Sequence, residues 1–221
     1  MKPKIISTPL PDLVLLDIDY CRDERGFFIE SWHKRDFTEA GFTVEFVQEN
    51  HSRSRQGVLR GMHYQDMTAP MVKLIRCTLG AIFDVAVDLR VGSPAFGHWF
   101  GVELSAENKR QIYVPIGFAH GFVTLSDFAE IQYKQTDYYA PAAEGSVAWN
   151  DPEIGIHWPM QDPILSKRDA QAMSLRRYLQ QPVFYYQLPN STGGLTPPEN
   201  CPVFPRRADP AGELSRLPPA G

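Results

Sequence analysis

Apolar and polar positions alternate along this chain in short runs, and those runs predict strands. The clearest is "FDVAVDLR", where Phe83, Val85, Val87 and Leu89 fall on one face and Asp84, Ala86, Asp88 and Arg90 on the other. Segments rich in β-branched and aromatic residues recur at 13–20, 44–52, 57–65, 72–80, 81–90, 97–104, 111–117, 121–126 and 129–139. Gly, Pro, Asn or Ser punctuate their ends. Two segments carry helical patterns, 34–41, stopped by Gly41, and 166–181. Many closely spaced strands with few helices predict an all-β antiparallel sandwich or barrel. After about residue 182 the pattern stops, and "LPNSTGGLTPPENCPVFPRRADPAGELSRLPPAG" reads as an irregular or disordered tail. The expected organisation is a folded domain over 1–181 and a Pro/Gly-rich tail over 182–221.

Composition narrows the class. The chain has 221 residues, 43% hydrophobic and 22% charged, enough for one sizeable core. A net charge of −4 gives no reason to expect a nucleic-acid or anionic-membrane partner. No apolar run approaches the roughly 20 residues that cross a bilayer, and the start, "MKPKIISTPLPDL", has no signal-peptide h-region. Cys21, Cys77 and Cys201 are odd in number and lack CxxC spacing. They predict neither a disulfide framework nor a zinc site, but a reduced, cytoplasmic protein.

Candidate chemistry collects where polar residues interrupt apolar strands. Arg25 and Glu30 lie in "DERGFFIESW"; Gln48, Asn50, Arg60, His63 and Gln65 lie in "VQENHSRSRQGVLRGMHYQ". Lys73 stands in "APMVKLIR", and His120 follows a Pro-Gly turn in "YVPIGFAHGF". Further on come Tyr133, Glu144 and the pair Arg168-Asp169. Each has a plain structural reading. A strand histidine is commonly a hydrogen-bonded structural residue, Lys73 can snorkel at a sheet edge, and Tyr133 can be core with a tethered hydroxyl. Asp169 suits a first helical turn, and Arg25 with Glu30 suits a surface ion pair. Their joint occurrence argues for a cavity instead, because inward positions of neighbouring barrel strands converge.

"PIGFAH" matches the PxGxxH second motif of the cupins, many of which bind metal. The first cupin motif has two histidines one residue apart, whereas this chain offers His63-Tyr64-Gln65, so no 2-His-1-carboxylate set is formed. A GxSxG elbow and the GxGxxG and GxxxxGK[ST] loops are absent. What is left is a kit of His, Tyr, Lys, Arg and carboxylates for moving protons on an anionic substrate.

Taken together, "DERGFFIESW", "FVQENHS", "GVLRGMHYQ", "FDVAVDLR", "GFAHGFVTLS", "YKQTDYY" and "WNDPEIGIHWP…LSKRDA" resemble the dTDP-4-dehydrorhamnose 3,5-epimerases, in order from about residue 5 to 171. The resemblance implies a cupin-type jelly roll, a homodimer, no metal and no cofactor. It implies inversion of carbons 3 and 5 of dTDP-4-dehydro-6-deoxy-D-glucose. The 4-ketone acidifies the hydrogens at those carbons, so the reaction needs a base, an acid on the other face, and a charge for the enolate oxygen. His63 fits the base, with an ordinary imidazole pKa of about 6.5. By the resemblance, Asp169 orients its imidazole, Tyr133 donates the proton from the opposite face, and Lys73 stands by the oxyanion. Arg25, Arg60 and Arg168 suit the diphosphate, although the family often has Lys where Arg168 stands. Glu30, Gln48, Glu49 and Asn50 resemble thymine- and sugar-reading groups, with His120, Tyr139 and Glu144 completing the ligand contacts. Arg25, Phe27 and Glu30 are expected to reach a neighbouring subunit's site.

Three other readings stay open on sequence. A mono-epimerase acting at carbon 3 or carbon 5 alone would keep the same residues. A non-catalytic sugar-nucleotide binder would be expected to lack one of His63, Tyr133 or Asp169, and all three are present. A metal-dependent cupin would require metal for activity.

Overall fold

The computed structural model describes residues 2–186. The chain runs through β1 (Lys4–Ser7), β2 (Val14–Asp17), β3 (Cys21–Asp23), β4 (Gly26–Phe28), α1 (Lys34–Glu39), β5 (Gln48–Arg55), β6 (Leu59–Gln65) and β7 (Lys73–Leu79). It continues through β8 (Ala81–Asp88), β9 (Trp99–Ser105), β10 (Gln111–Val114), β11 (Phe118–Thr124), β12 (Phe128–Gln135), β13 (Glu144–Ser146) and α2 (Leu175–Tyr178). A six-stranded sheet, ordered β1-β2-β10-β7-β12-β5, faces a five-stranded sheet, β13-β6-β11-β8-β9, while β3 and β4 form a separate hairpin. Every named strand pair is antiparallel. This is the expected all-β sandwich of jelly-roll type.

The interior is filled by Leu15, Ile75, Ile112 and Ile131 from one sheet and Ile82, Ala86, Leu104, Phe118 and Phe122 from the other. The faces of β8 are therefore not what alternation suggests. Ala86, on the side shared with Asp84, points into the sandwich, whereas Val85, Val87 and Leu89 point outward. That outer face is nonetheless buried, because Val147, Ile154, Leu175, Tyr178 and Phe184 cover it. A chain segment laid across the sheet gives the apolar face its partner, so both faces of β8 are interior.

Several boundaries differ from the sequence pattern for identifiable reasons. The strand expected at 44–52 is Gln48–Arg55, because β5 pairs residue by residue with β12, and Phe46 instead packs edge-on against Trp32 at 6.1 Å. β11 begins at Phe118 and includes His120, since Gly117, at φ +95°, makes the turn immediately before it. Helix 34–41 forms as α1, capped by His33 and ended before Gly41 at φ +100°. Helix 166–181 does not form as one element. It divides into a 3-10 turn (Asp169–Gln171) and α2, because Met173 bridges to Val147 and Ser174 caps a new helix. Leu175 and Tyr178 then face the outer core together.

Residues 182–186, placed with the tail by composition, belong to the body. Phe184 is buried, Val91 bridges to Tyr185, and the Tyr178 hydroxyl donates to Leu89 O while accepting from the backbone N–H groups of Val183 and Phe184. The rest of the expected tail, with Cys201, lies outside the described residues. Among the described residues no helix is long and apolar enough to cross a membrane.

Candidate active site

His63 sits on the inner side of β6 and gives its Nε2 to Asp169 Oδ1 at 2.6 Å. Asp169 is 4% exposed and opens the 3-10 turn that the covering segment brings back to the sheet. Burial alone would raise its carboxyl, but the bond to His63, that imidazole's charge, Ser166 and Arg168 outweigh burial and hold it below the ordinary value. The acid thus stays ionised and fixes the imidazole. Arg168 lies over the ring, Nη2 at 2.9 Å from Nε2 and 3.4 Å from Nδ1. Since the Nε2 proton goes to the ionised Asp169, Nδ1 is the ring atom left to accept, and the guanidinium stands within reach of it.

Arg60 and His63 are three residues apart, a spacing that puts side chains on opposite faces of a regular strand. A bulge removes the conflict. His120 pairs with His63 and Phe122 with Arg60, so one extra residue of β6 is taken up opposite β11. Gly61 occupies the bulge at φ +135°, and a Cβ there would stand 2.6 Å from Gly121 Cα. Arg60 consequently shares the side of Phe122, an interior residue, and its Nε donates to Ser54 Oγ at 3.1 Å.

The opposite wall is the six-stranded sheet. Tyr133 on β12 packs against the interior core and lies across from Asn50 on β5. Burial raises its phenol above the ordinary value; Asn50 and Arg60 pull the other way without reversing the shift. It is a protonated phenol near neutrality. Asn50 is held by Gln135, donating to its Oε1 at 2.6 Å, and accepts from Gln48 Nε2 at 3.0 Å. Lys73, at the start of β7, has its amine desolvated, which brings its pKa down to about 8 against the support of Glu144 and Asp84.

At the mouth, Glu144 Oε2 accepts from the Tyr139 hydroxyl at 2.7 Å and from Arg168 Nη1. His120, the register partner of His63, gives Nε2 to both oxygens of Asp84 at 2.9 and 3.0 Å. The structure therefore gathers His63, Asp169, Tyr133, Lys73, Gln48, Asn50, Arg60, His120, Tyr139, Glu144 and Arg168 around one interior.

Four expected residues stand apart from it. Glu49 alternates to the outer side of β5 and pairs with Lys134 at 2.9 Å. Arg25, at the β3–β4 turn, is held by Asp23, and Phe27 is 57% exposed, with Lys109 Nζ 3.8 Å from its ring centre. Glu30 lies half-buried before α1, where Glu30, His33 and Asp36 bring ligand atoms within 4.8 Å of one another. His33 there also accepts from the Asp36 backbone N–H as the helix cap. At the position where a metal cupin has its second histidine, Gln65 donates to Ala69 O and accepts from Ala140 N, and so ties two loops together. Sequence reasoning passed over Asp84, Ser54 and Gln135. The available signal was a polar residue on the small-residue side of its strand, the side that proves to be interior.

A sequence profile described as dTDP-4-dehydrorhamnose 3,5-epimerase matches residues 7–177. The dTDP-4-dehydrorhamnose 3,5-epimerase of Pseudomonas aeruginosa is 58% identical over 170 residues, 76% of this chain and 93% of that protein. The dTDP-4-dehydrorhamnose 3-epimerase of Streptomyces niveus is 43% identical over 154 residues, 69% of this chain and 74% of that one. In structure, the dTDP-6-deoxy-D-glucose-3,5-epimerase of Legionella pneumophila, solved in complex with dTDP-4-keto-L-rhamnose, superposes with a TM-score of 0.81 at 46% identity. The match covers 84% of this chain and all of that one. With its jelly roll, its acid-held imidazole and these similarities, the chain belongs to the dTDP-4-dehydrorhamnose 3,5-epimerase family.

Proposed function

We propose that this protein inverts carbons 3 and 5 of dTDP-4-dehydro-6-deoxy-D-glucose to give dTDP-4-dehydro-L-rhamnose, without a cofactor, as a cytoplasmic homodimer. The observation that carries the reading is the placement of base and acid on facing sheets. His63 with Asp169 lines one wall and protonated Tyr133 the other. A sugar ring between them has a base on one face and a proton donor on the other, which is what inversion requires.

In the proposed reaction His63 Nδ1 takes the proton next to the 4-ketone, and Asp169 stabilises the imidazolium that forms. The ammonium of Lys73 stabilises the enolate oxygen more than the ketone it came from. Tyr133 returns a proton to the opposite face, and exchange with solvent both deprotonates the imidazolium and reprotonates the phenolate before the second centre turns over. Arg60 and Arg168 are assigned to the diphosphate, which draws Arg168 away from Nδ1 and frees the base. Gln48, Asn50, Tyr139, His120 and Glu144 are assigned to the remaining ligand contacts. Arg25, Phe27 and Glu30 are assigned to the site of a second subunit, an assignment supported by the exposed hairpin that carries the first two. The described cysteines, Cys21 and Cys77, are unpaired, in keeping with a reducing compartment.

Turnover of dTDP-4-dehydro-6-deoxy-D-glucose in deuterated water tests the reading. Product carrying deuterium at carbons 3 and 5 is expected, with the signal nearly abolished in folded His63→Ala and Tyr133→Phe variants. Deuterium at carbon 3 alone would identify a mono-epimerase, the activity named for the Streptomyces niveus relative. Protium at both carbons would eliminate the enolate route.

A further inference from the structure

Two histidines on neighbouring strands share one construction. His63 and His120 are register partners, so their rings project to the same side of the sheet. Each gives Nε2 to a buried carboxylate, His63 to Asp169 and His120 to Asp84. In the reaction described above the first pair moves the proton, His120 is a ligand contact, and Asp84 has no part.

Asp84 is 0% exposed. Among the described residues its carboxylate has one hydrogen-bonding partner, the His120 ring, which meets both oxygens. Burying a carboxylate with so little compensation is costly, and an apolar residue of similar size would serve a sandwich core better. The arrangement also orients the imidazole. With Nε2–H committed to Asp84, Nδ1 is the atom left for a ligand, and among the described residues it makes no hydrogen bond to protein.

The charge of Asp84 also supports the Lys73 amine. Lys73 meets the charges of Glu144 from β13, Asp84 from β8 and Arg168 from the covering segment. Besides His120 on β11 and Lys73 on β7, the charge of Asp84 acts on the Cys77 thiol of β7, as does that of the exposed Glu103 on β9. Of these groups, Lys73 is the one the proposed reaction sets beside the enolate oxygen.

We propose that Asp84 is a positioning residue of the epimerisation. It holds His120 with Nδ1 toward the sugar and keeps a negative charge behind the Lys73 ammonium at the substrate carbonyl. The inference rests on the epimerase reading above, and its tests separate the two.

Asp84→Asn keeps the shape and removes the charge. A loss in kcat of about 10²-fold is expected, the scale of a misplaced reacting group, with dTDP binding by calorimetry and cooperative unfolding retained. Without the carboxylate the neutral amine of Lys73 is favoured, so the alkaline limb of the rate moves to lower pH than in the wild type. A variant with wild-type kcat and an unmoved limb would overturn the proposal. Nitrogen NMR of the wild-type His120 ring decides independently, including the case in which the variant does not fold. Protonated Nε2 is expected; the tautomer with bare Nε2 and protonated Nδ1 would refute the positioning role. Failure of the wild type to incorporate deuterium would reject the epimerase reading and leave the ring measurement standing by itself.

Discussion

In the proposed reaction Lys73 is expected to set the upper pH limit of the chemistry. Desolvation brings its amine to about 8, partly offset by Glu144 and Asp84. The charged form is the one that stabilises an enolate, so the rate falls as pH rises through that value. Tyr133 does not interfere, because burial moves its phenol above the ordinary value of about 10. Lys73→Arg carries a guanidinium that stays charged. Its absolute rate is expected to drop, but the limb near pH 8 should disappear from a kcat/KM profile. Persistence of the limb would assign it to another group. His63, Tyr133 and Lys73 stood out in sequence through their joint occurrence on apolar strands, while the roles proposed for them came from the family resemblance. Asp84 did not stand out, because alternation alone does not say which side of a strand is interior.

At the scale of the element, the Gly61 bulge decides whether Arg60 and His63 act together. Any side chain at Gly61 meets two obstacles, φ of +135° and Gly121 Cα 2.6 Å away. Gly61→Ala is expected to lose about 3 kcal/mol in urea denaturation, strain and overpacking together, and to lower activity by rotating Arg60 off the inner face. Gly92→Ala provides the contrast. With φ +90° but nothing within 4 Å of the added carbon, it loses about 1 kcal/mol. Equal losses in the two variants would show that the contact with Gly121 contributes nothing. The bulge also marks a limit of reading by period: a spacing of three in "RGMH" says opposite faces, and only pairing with β11 reveals the extra residue. β5 is a like case. "QENHSRSR" has no apolar stripe, so the pattern favoured the residues before it, and its strand state is set by eight consecutive partners on β12.

At the scale of the whole molecule, the β3–β4 hairpin forms a sheet of its own with Phe27 57% and Phe28 68% exposed. Two such rings on a short hairpin suit the proposed subunit interface better than solvent. Phe28→Glu is expected to reduce the mass by light scattering to that of one chain and to remove most activity, since Arg25 would leave the neighbouring site. A dimer of undiminished activity would place the interface elsewhere. The cluster "DERGFFIESW" stood out in sequence, but its hairpin was not among the expected strands, and the reach of its side chains depends on a second chain that one sequence does not display.

The segment laid across the five-stranded sheet covers Val85, Val87 and Leu89, and it also delivers Asp169 and Arg168 to His63. Structural cover and the carboxylate that orients the proposed base are thus a single part. Loss of that covering would strip the imidazole of the carboxylate that orients it, even with the sheets beneath still paired. Whatever evolutionary pressure keeps this protein active presses in the same stroke on the robustness of its wrapping.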